Sequence, residues 1–552
     1  MFSFALNDVL FHLKPARPGA VFPDTMLKGI DAQLASTFQR AAEKALSRPI
    51  PEMKASDWIL FGDRYAQARL ERRELLLSLA LGEAVTGSGR YLMKMIDLAW
   101  AITEESTWAN TPDIALVNAP EEDDLSFETA ALLAWVWQLC GKEIEKISRE
   151  VCFRIEDSVA MRILTPFTAQ EIPEWAQRRG GRTFSRLLSL MTAFLLLDTD
   201  DSRRWAGIRR CLTMADNLLA AIPADGVHPM GLEAWQKDAQ ALSDTAKLLM
   251  IATDGQADFR TDKKFLRFID YPVSAHLGNG AFVNPDGQPT PSLDGETMFK
   301  IGDFVKNGSL CRLGAAIGRH KEYSGGASVT DKMLTALIHK KYLAEPARFP
   351  LRTRVSLPIG MLIGAYAGGF HAAVTGGSRA VGHPDAGNLY LTHMGEPVFF
   401  DLGTKMHTAR CHSVPSVNGI SPAKGFGGAK DLEARFEDAF TYLLVNLAPA
   451  FPKEAGVRSW QRTVMLSPHE TRVRIIEAYE LSSPAEEIRL RFVTPVRPER
   501  NSDCSLRIGK AVFSWEGGFK AEIEKLENGF VIEIIAGKCA ARGNFAFVVA
   551  AG

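Results

Sequence analysis

Histidine is spread unevenly along this sequence. Five of the eleven histidines (His371, His383, His393, His407 and His412) fall between positions 371 and 412, in company with Asp385 and Asp401. His393 sits in Thr392-His-Met-Gly-Glu396, which reads as the turn of a hairpin between strands near Asn388–Leu391 and Val398–Asp401. Such a turn places Asp401 opposite Gly387, four residues from His383. Two imidazoles and a carboxylate on neighbouring strands are the donor set that holds a zinc-like ion and leaves a fourth position open. His383, Asp401 and His412 are therefore candidate metal ligands. The same residues also read as a hairpin that carries polar side chains and nothing more.

A second group lies upstream. Glu104 and Glu105 stand at a helix end with Trp108 close by, ahead of the acidic run Glu121–Asp124. Carboxylates beside an indole suit a sugar site, and a carboxylate pair can hydrolyse a glycosidic bond with inversion. Glu104, Glu105 and Trp108 are candidate substrate-binding residues, with a plain helix end as the other reading. The acidic run reads as a solvated loop. Tyr323 and Tyr390 are alternative proton donors whose other reading is packing.

The bulk properties narrow the field. With Lys+Arg 64 against Asp+Glu 65, the formal charge of the 552 residues is -1. That balance argues against broad nucleic-acid or membrane-surface binding and leaves room for a local basic cleft. Apolar residues at 46% and charged residues at 23% belong to an ordinary globular protein long enough for two cores. No secretory signal is readable at the start, and the apolar run Leu187–Leu197 is too short to span a bilayer. Seven dispersed cysteines without a CxxC pair suggest reduced thiols, so a cytoplasmic setting is expected. Self-association is left open.

Positioning these residues takes two kinds of architecture. Segments 72–83, 129–139 and 184–194 are apolar-rich, poor in β-branched residues and periodic at three and four residues, which predicts helices. Beyond Pro346–Pro350 the pattern changes. Segments 352–357, 388–391, 397–401, 472–476, 488–492 and 530–534 alternate or are β-branched, as strands are. The expectation is a helical domain over residues 1–345 and an antiparallel β-sandwich over 346–552.

Several stretches, in this order, resemble the heparinase II/III-like polysaccharide lyase family: Gly376-Gly377, His383-Pro-Asp-Ala-Gly387, Gly395-Glu-Pro-Val-Phe-Phe-Asp-Leu-Gly403 and Cys411-His-Ser-Val-Pro-Ser-Val-Asn-Gly419. Upstream, Arg72-Arg73, Gly87–Arg90, Ile102–Trp108, Asp124–Thr129 and Asp225–Gly231 resemble its helical half. The resemblance implies an α/α toroid followed by a β-sandwich. It also implies a mainly structural zinc or similar ion on His383, Asp401 and His412, with Asp385 and Asn418 as neighbours that set the imidazole tautomers.

The activity it implies is β-elimination on an acidic, uronate-containing oligosaccharide, by an Asn for the carboxylate and a His and a Tyr for proton transfer. This chain departs from that pattern. Val381 stands at the proton-transferring histidine, Ala234 at the tyrosine, and Trp175-Ala-Gln-Arg-Arg-Gly-Gly-Arg182 where an Asn pair is usual. Arg178, Arg179 or Arg182 can replace the Asn as a carboxylate fork. His228 is then the candidate base, Tyr390 a candidate donor, and Trp235 a further substrate contact. Three functions stay in play: a lyase, a non-catalytic glycan-binding protein on a lyase scaffold, and a glycoside hydrolase using Glu104 or Glu105.

Overall fold

The computed structural model describes residues 11–23, 25–60, 62–109, 123–171, 173–177, 182–283, 291–321, 323–377, 385–402, 409–423 and 428–552. Six long helices form the centre of the first part: α1 (Gly62–Thr86), α2 (Asp124–Ile147), α3 (Thr183–Leu196), α4 (Gly231–Ala252), α5 (Gly295–Val305) and α6 (Val329–Ala344). They contain the three helices read from sequence. Each packs on the next, and α6 returns against α2, so the series closes on itself. The return is polar as well as apolar: the Trp135 indole of α2 donates to the Thr330 hydroxyl of α6 at 3.0 Å. Helices α2 to α5 bury residues around much of their circumference, as central helices must. Helices Ala32–Ser47, Leu92–Thr103, Arg149–Val159, Asp201–Ala220, Lys263–Ala275 and Gly308–Ile317 pack on the centre. The first of these shows why: Leu34, Phe38, Ala42 and Ala45 share one face, and the Asp31 carboxylate caps the Gln33 and Leu34 amides.

Caps mark where the central helices begin. Asp123 accepts from Ser126 at the start of α2, Asp294 from Thr297 at α5, and Ser328 from Asp331 at α6. Gly295 lies against the Gly314 carbonyl so closely that a Cβ there would collide with it, which lets α5 and Gly308–Ile317 touch backbone to backbone. No helix of the described residues is long and apolar enough to cross a membrane. One feature escaped the sequence reading: a two-stranded ribbon, β1 (His276–Gly278) with β2 (Ala281–Phe282), sits inside the helical part.

Every described strand pairing is antiparallel. A five-stranded sheet runs in chain order through β3 (Arg354–Leu357), β4 (Leu362–Ala367), β5 (Phe370–Thr375), β6 (Leu389–His393) and β7 (Glu396–Phe399). The predicted hairpin is β6–β7, turning at Met394 and Gly395, both with positive φ as a two-residue hairpin turn needs. The strands β8 (Pro415–Val417), β9 (Lys430–Phe436), β10 (Thr441–Asn446), β11 (Val457–Leu466), β12 (Arg472–Leu481) and β13 (Ala485–Thr494) follow. The chain ends with β14 (Glu499–Ser502), β15 (Ser505–Ile508), β16 (Ala511–Trp515), β17 (Lys520–Leu526), β18 (Gly529–Cys539) and β19 (Arg542–Ala551). They form an eight-stranded sheet in the order β14-β15-β16-β19-β12-β11-β10-β9 and a four-stranded one in the order β17-β18-β13-β8.

The central strands β4, β5 and β6 of the five-stranded sheet are largely buried on both faces. Phe370, Ala372, Val374, Leu389 and Leu391 join the core of the β part, whereas Ala373 and Tyr390, one step out of phase, join the core of the helices. Polar ties cross the same junction. Arg352 donates to Asp270 and to the Ser274 hydroxyl, the latter at 2.8 Å, and the Asp225 carboxylate accepts from the Ile359 and Gly360 amides.

Two buried histidines stand at this junction. His276 bonds the Pro350 carbonyl at 3.1 Å and stacks on Phe349, and burial pushes its pKa down to about 4. His371 of β5 is likewise pushed down to about 4, first by burial and then by the nearby charge of His276. Rings held neutral in this way stabilise the fold above the ordinary imidazole pKa and lose that contribution as pH falls from about 6.5 towards 4. The full displacement is worth roughly 3 kcal/mol per ring. Urea unfolding followed from pH 7.5 to 4 is expected to show this loss, and His371→Phe is expected to lose less over the same range.

Candidate functional site

The polar side chains concentrate where the central helices begin. Glu128, in the second turn of α2, accepts from the Ser189 hydroxyl of α3 at 2.5 Å and from the Val329 amide of α6 at 3.1 Å. At the start of α4, Glu233 accepts from the Ser292 amide and Gln236 from the Asp294 amide, just ahead of α5. Glu296 of α5 accepts from the Ser324 amide ahead of α6. The N-terminal ends of α2 to α6 therefore meet at one end of the helical part. Each contributes partial positive charge from its unpaired amides, which favours anions there.

Around Glu128 the groups are mixed in charge. Asp124 is bonded by Arg182 and by Arg186, the latter at 2.6 Å. Arg186 also lies over the half-buried indole of Trp175, 5.3 Å from its centroid, and Trp175 packs on Phe127 at 5.6 Å. Arg182 is 78% exposed and turned to solvent. Burial pushes the Glu128 carboxyl above its ordinary range, against its two hydrogen bonds and the charge of Lys332. A carboxyl raised in this way, with guanidinium groups on the neighbouring Asp124 and an indole beyond them, offers a proton carrier and cations for an acidic ligand.

Deeper in the helical part lies a buried ionic triad. Lys300 of α5 bonds Asp244 of α4 at 2.7 Å and Asp331 of α6. Burial pushes Asp244 up to about 6, while Lys300 stays above the ordinary lysine value because the two carboxylates outweigh its desolvation. Alongside, Glu296 bonds His339 Nδ1 at 2.5 Å. These groups sit inside the helix packing and hold it in one arrangement.

The predicted site residues divide sharply. Glu105 does not face a ligand. It is buried, it takes a bidentate fork from Arg73 at 3.1 and 2.8 Å, and Arg72 reaches it at 3.3 Å. Trp108 is fully buried, with its N–H on the Ile102 carbonyl at 2.9 Å. Trp235 is fully buried too, bonded to the Phe268 carbonyl. Indoles without an exposed face cannot stack on a pyranose, so both belong to packing. Glu104 points the other way, into solvent, and accepts from the Trp100 indole at 2.8 Å. His228 uses both ring nitrogens: Nε2 meets Asp238 at 3.1 Å and Nδ1 accepts from the Met230 amide at 3.1 Å. That leaves no lone pair for a base. Tyr390 is sealed in the core, its hydroxyl on Asp401 at 3.2 Å, and burial pushes its pKa well above the phenol range, so it has no route to a substrate. Tyr323 donates to the Lys332 carbonyl. Of the predicted substrate contacts, Arg182 lies exposed among the helix starts, whereas Trp235 near the start of α4 is fully buried. Arg178 and Arg179 fall outside the described residues, as do Val381, His383 and His407.

The hairpin cluster is partly as expected. Asp401 Oδ2 accepts from Asn388 Nδ2 at 2.9 Å and meets His412 Nδ1 at 3.2 Å. Burial opposes a proton on His412, yet the Asp401 carboxylate outweighs it and raises the pKa. His412 Nε2 has no hydrogen bond among the described residues. A buried imidazole oriented by a carboxylate through Nδ1, with Nε2 left over, is how a metal-binding histidine is held. Among the described residues no group of three or more His, Cys, Asp or Glu is arranged to hold an ion, and the third expected ligand, His383, lies outside them. Asn418, expected beside His412, instead bonds the Glu487 amide.

No protein-family model and no curated protein matches this sequence. Solved structures do. The heparan sulfate lyase HepC from Pedobacter heparinus superposes over 100% of this chain and 88% of its own, with a TM-score of 0.61 at 12% identity. A heparinase III gene product covers 95% and 84%, at 0.59 and 10%. A mutant form of the chondroitin AC lyase from Streptomyces coelicolor A3 covers 100% and 83%, at 0.55 and 11%. The fold is that of polysaccharide lyases. At such identities the likeness extends to the fold alone.

Sequence reasoning missed Glu128, Ser189, Trp175 and Arg186. The signal available was positional, since Glu128 lies five residues after the Asp123 cap and Trp175 precedes the start of α3. Glu105→Gln is expected to cost roughly 3–5 kcal/mol in urea unfolding, because it leaves buried guanidinium groups without their counter-charge. Glu104→Gln is expected to stay within about 0.5 kcal/mol of wild type.

Proposed function

We propose that this chain is a polysaccharide lyase acting by β-elimination on an acidic, uronate-containing oligosaccharide at the helix starts of α2 to α6. The observation that carries the reading is the meeting of Glu128, Asp124, Arg182, Arg186 and Trp175 at that end of a lyase fold. In this reading residues 1–345 are an α/α toroid and residues 346–552 a β-sandwich. Arg182 and Arg186 take the place of the Asn pair and neutralise the uronate carboxylate, which acidifies the C5 proton. Glu128, with its carboxyl raised by burial, serves the proton transfers that Ala234 and Val381 cannot. The compartment we assign is the cytoplasm, in keeping with seven free cysteines.

Incubation of the pure protein with uronate oligosaccharides is expected to raise the ultraviolet absorbance of an unsaturated product. Arg186→Ala is expected to weaken substrate binding, and Glu128→Gln to lower kcat by about 10²–10⁴-fold with KM little changed. Absence of any absorbance rise across uronate polymers and fragments rejects the reading. Binding without turnover is the second reading, favoured by Ala234 in the tyrosine's place and by the sealing of Tyr390 in the core. Calorimetry that records saturable binding while no product forms selects it.

We further propose a structural zinc or similar ion on His412 and His383, with Asp401 either completing the donor set or orienting His412. Elemental analysis is expected to find about one such ion per chain. His412→Ala is expected to lose it together with thermal stability, and metal retained in that variant rejects the assignment.

A further inference from the structure

A pocket of about 530 Å³ opens between helix Lys263–Ala275 and the turn that joins α5 to helix Gly308–Ile317. Its lining includes Leu266, Arg267, Asp270, Lys306, Asn307 and Arg312. The one carboxylate among the lining residues is already neutralised: Asp270 takes two bonds from Arg352 and one from Asn307 Nδ2 at 2.9 Å. Of the three cations, only Lys306 has a carboxylate within 4 Å among the described residues. Arg267 donates to the Ala224 carbonyl at 3.2 Å and Arg312 to the Ser309 hydroxyl at 3.3 Å. Lys306 comes no nearer than 3.6 Å to Asp303, in an exposed pair that contributes little. The helix end at the pocket is spent as well, because Asn307 Oδ1 accepts from the Ser309 and Leu310 amides. The charge of the pocket therefore comes from its side chains.

The backbone at the pocket also bears on Lys306. Lys306 ends α5 in the left-handed region, at φ 62° and ψ 33°. Glycine is the usual residue at that position, since a Cβ there is strained. Eight further described non-glycine residues also have positive φ, Lys321 and Lys538 among them, so the conformation marks a stability cost at Lys306 and not by itself a function.

We infer that this pocket binds an oxyanion, the group common to sulfated or carboxylated sugars and to free phosphate. Arg267 and Arg312 supply planar donors for its oxygens, Lys306 a third cation, and Leu266 an apolar floor. The site is separate from the helix starts. Glu296 and Val305 stand at opposite ends of α5, about 14 Å apart at 1.5 Å per residue. The inference stands whichever reaction, if any, occurs at the other end.

The test is calorimetric titration of the full chain at low ionic strength with sodium sulfate, sodium phosphate and sodium glucuronate in turn. At least one anion is expected to bind at a single site, and the order of affinities tells a sugar-borne group from phosphate. The double variant Arg267→Ala/Arg312→Ala is expected to lose about tenfold or more in affinity. Lys306→Gly is expected to weaken binding while raising the thermal unfolding midpoint, a pairing that no purely structural role for Lys306 produces. Binding of none of the three anions overturns the inference, as does wild-type affinity in the double variant or in Lys306→Gly.

Discussion

A guanidinium sealed from water has to find every acceptor within the protein, and Arg462 in the β part shows how far that requirement reaches. Its Nε lies 2.5 Å from Glu477, and its Nη1 bonds the Gly387 and Ser413 carbonyls, the latter at 2.6 Å. Glu477 is held in turn by the Trp460 indole at 2.7 Å. One side chain of β11 therefore fixes the loop ahead of β6 and the loop ahead of β8. The Asn388 amide then joins those loops a second time, bonding Asp401 and receiving the Ser413 amide. Geometry around His412 follows from these ties. Removal of either partner would strand a buried charge, which costs far more than the pair itself contributes.

The helical part obeys the same rule with other residues. Glu105 gathers arginines where Leu92–Thr103 ends, and Lys300 gathers carboxylates among α4, α5 and α6. These clusters lie within the packing, whereas the groups around Glu128 lie at its rim. Solvent access separates them. A carboxylate enclosed by arginines cannot change partners, while an exposed guanidinium such as Arg182 can exchange water for a ligand.

Much of the architecture was legible in the sequence, because periodicity and turn chemistry are local. The three helical segments, the strand segments and the turn before Glu396 all stand where their patterns placed them. Asp401 came within reach of Asn388 and Tyr390 rather than opposite Gly387, because β7 ends at Phe399 and the Phe400 amide turns to Val493 of β13. Which way a side chain faces was not legible. Glu104 and Glu105 are neighbours in sequence, yet one meets solvent and the other a buried arginine fork. Trp108 and Trp235 read as platforms and proved to be core, since a large apolar ring gains more from full burial than a helix end can offer it. Glu128 lay in the stretch Asp124–Thr129 that resembles the lyase family's helical half, yet nothing in that stretch marked it as a proton carrier. Its environment is made by α3 and α6, which approach it from 61 and 201 residues away. The likeness to polysaccharide lyases extends to the fold, and a fold does not by itself carry a chemistry.

The five-stranded sheet, buried on both faces at its central strands, has a consequence for how the chain comes apart. Detaching either half would expose apolar side chains on several strands, so the two halves are expected to stabilise each other. Melting of one part should carry the other with it in a single cooperative transition. During synthesis the helical half emerges first and waits for strands that follow it by tens to hundreds of residues. Its unfinished face is then exposed to misassociation until β3 to β7 arrive.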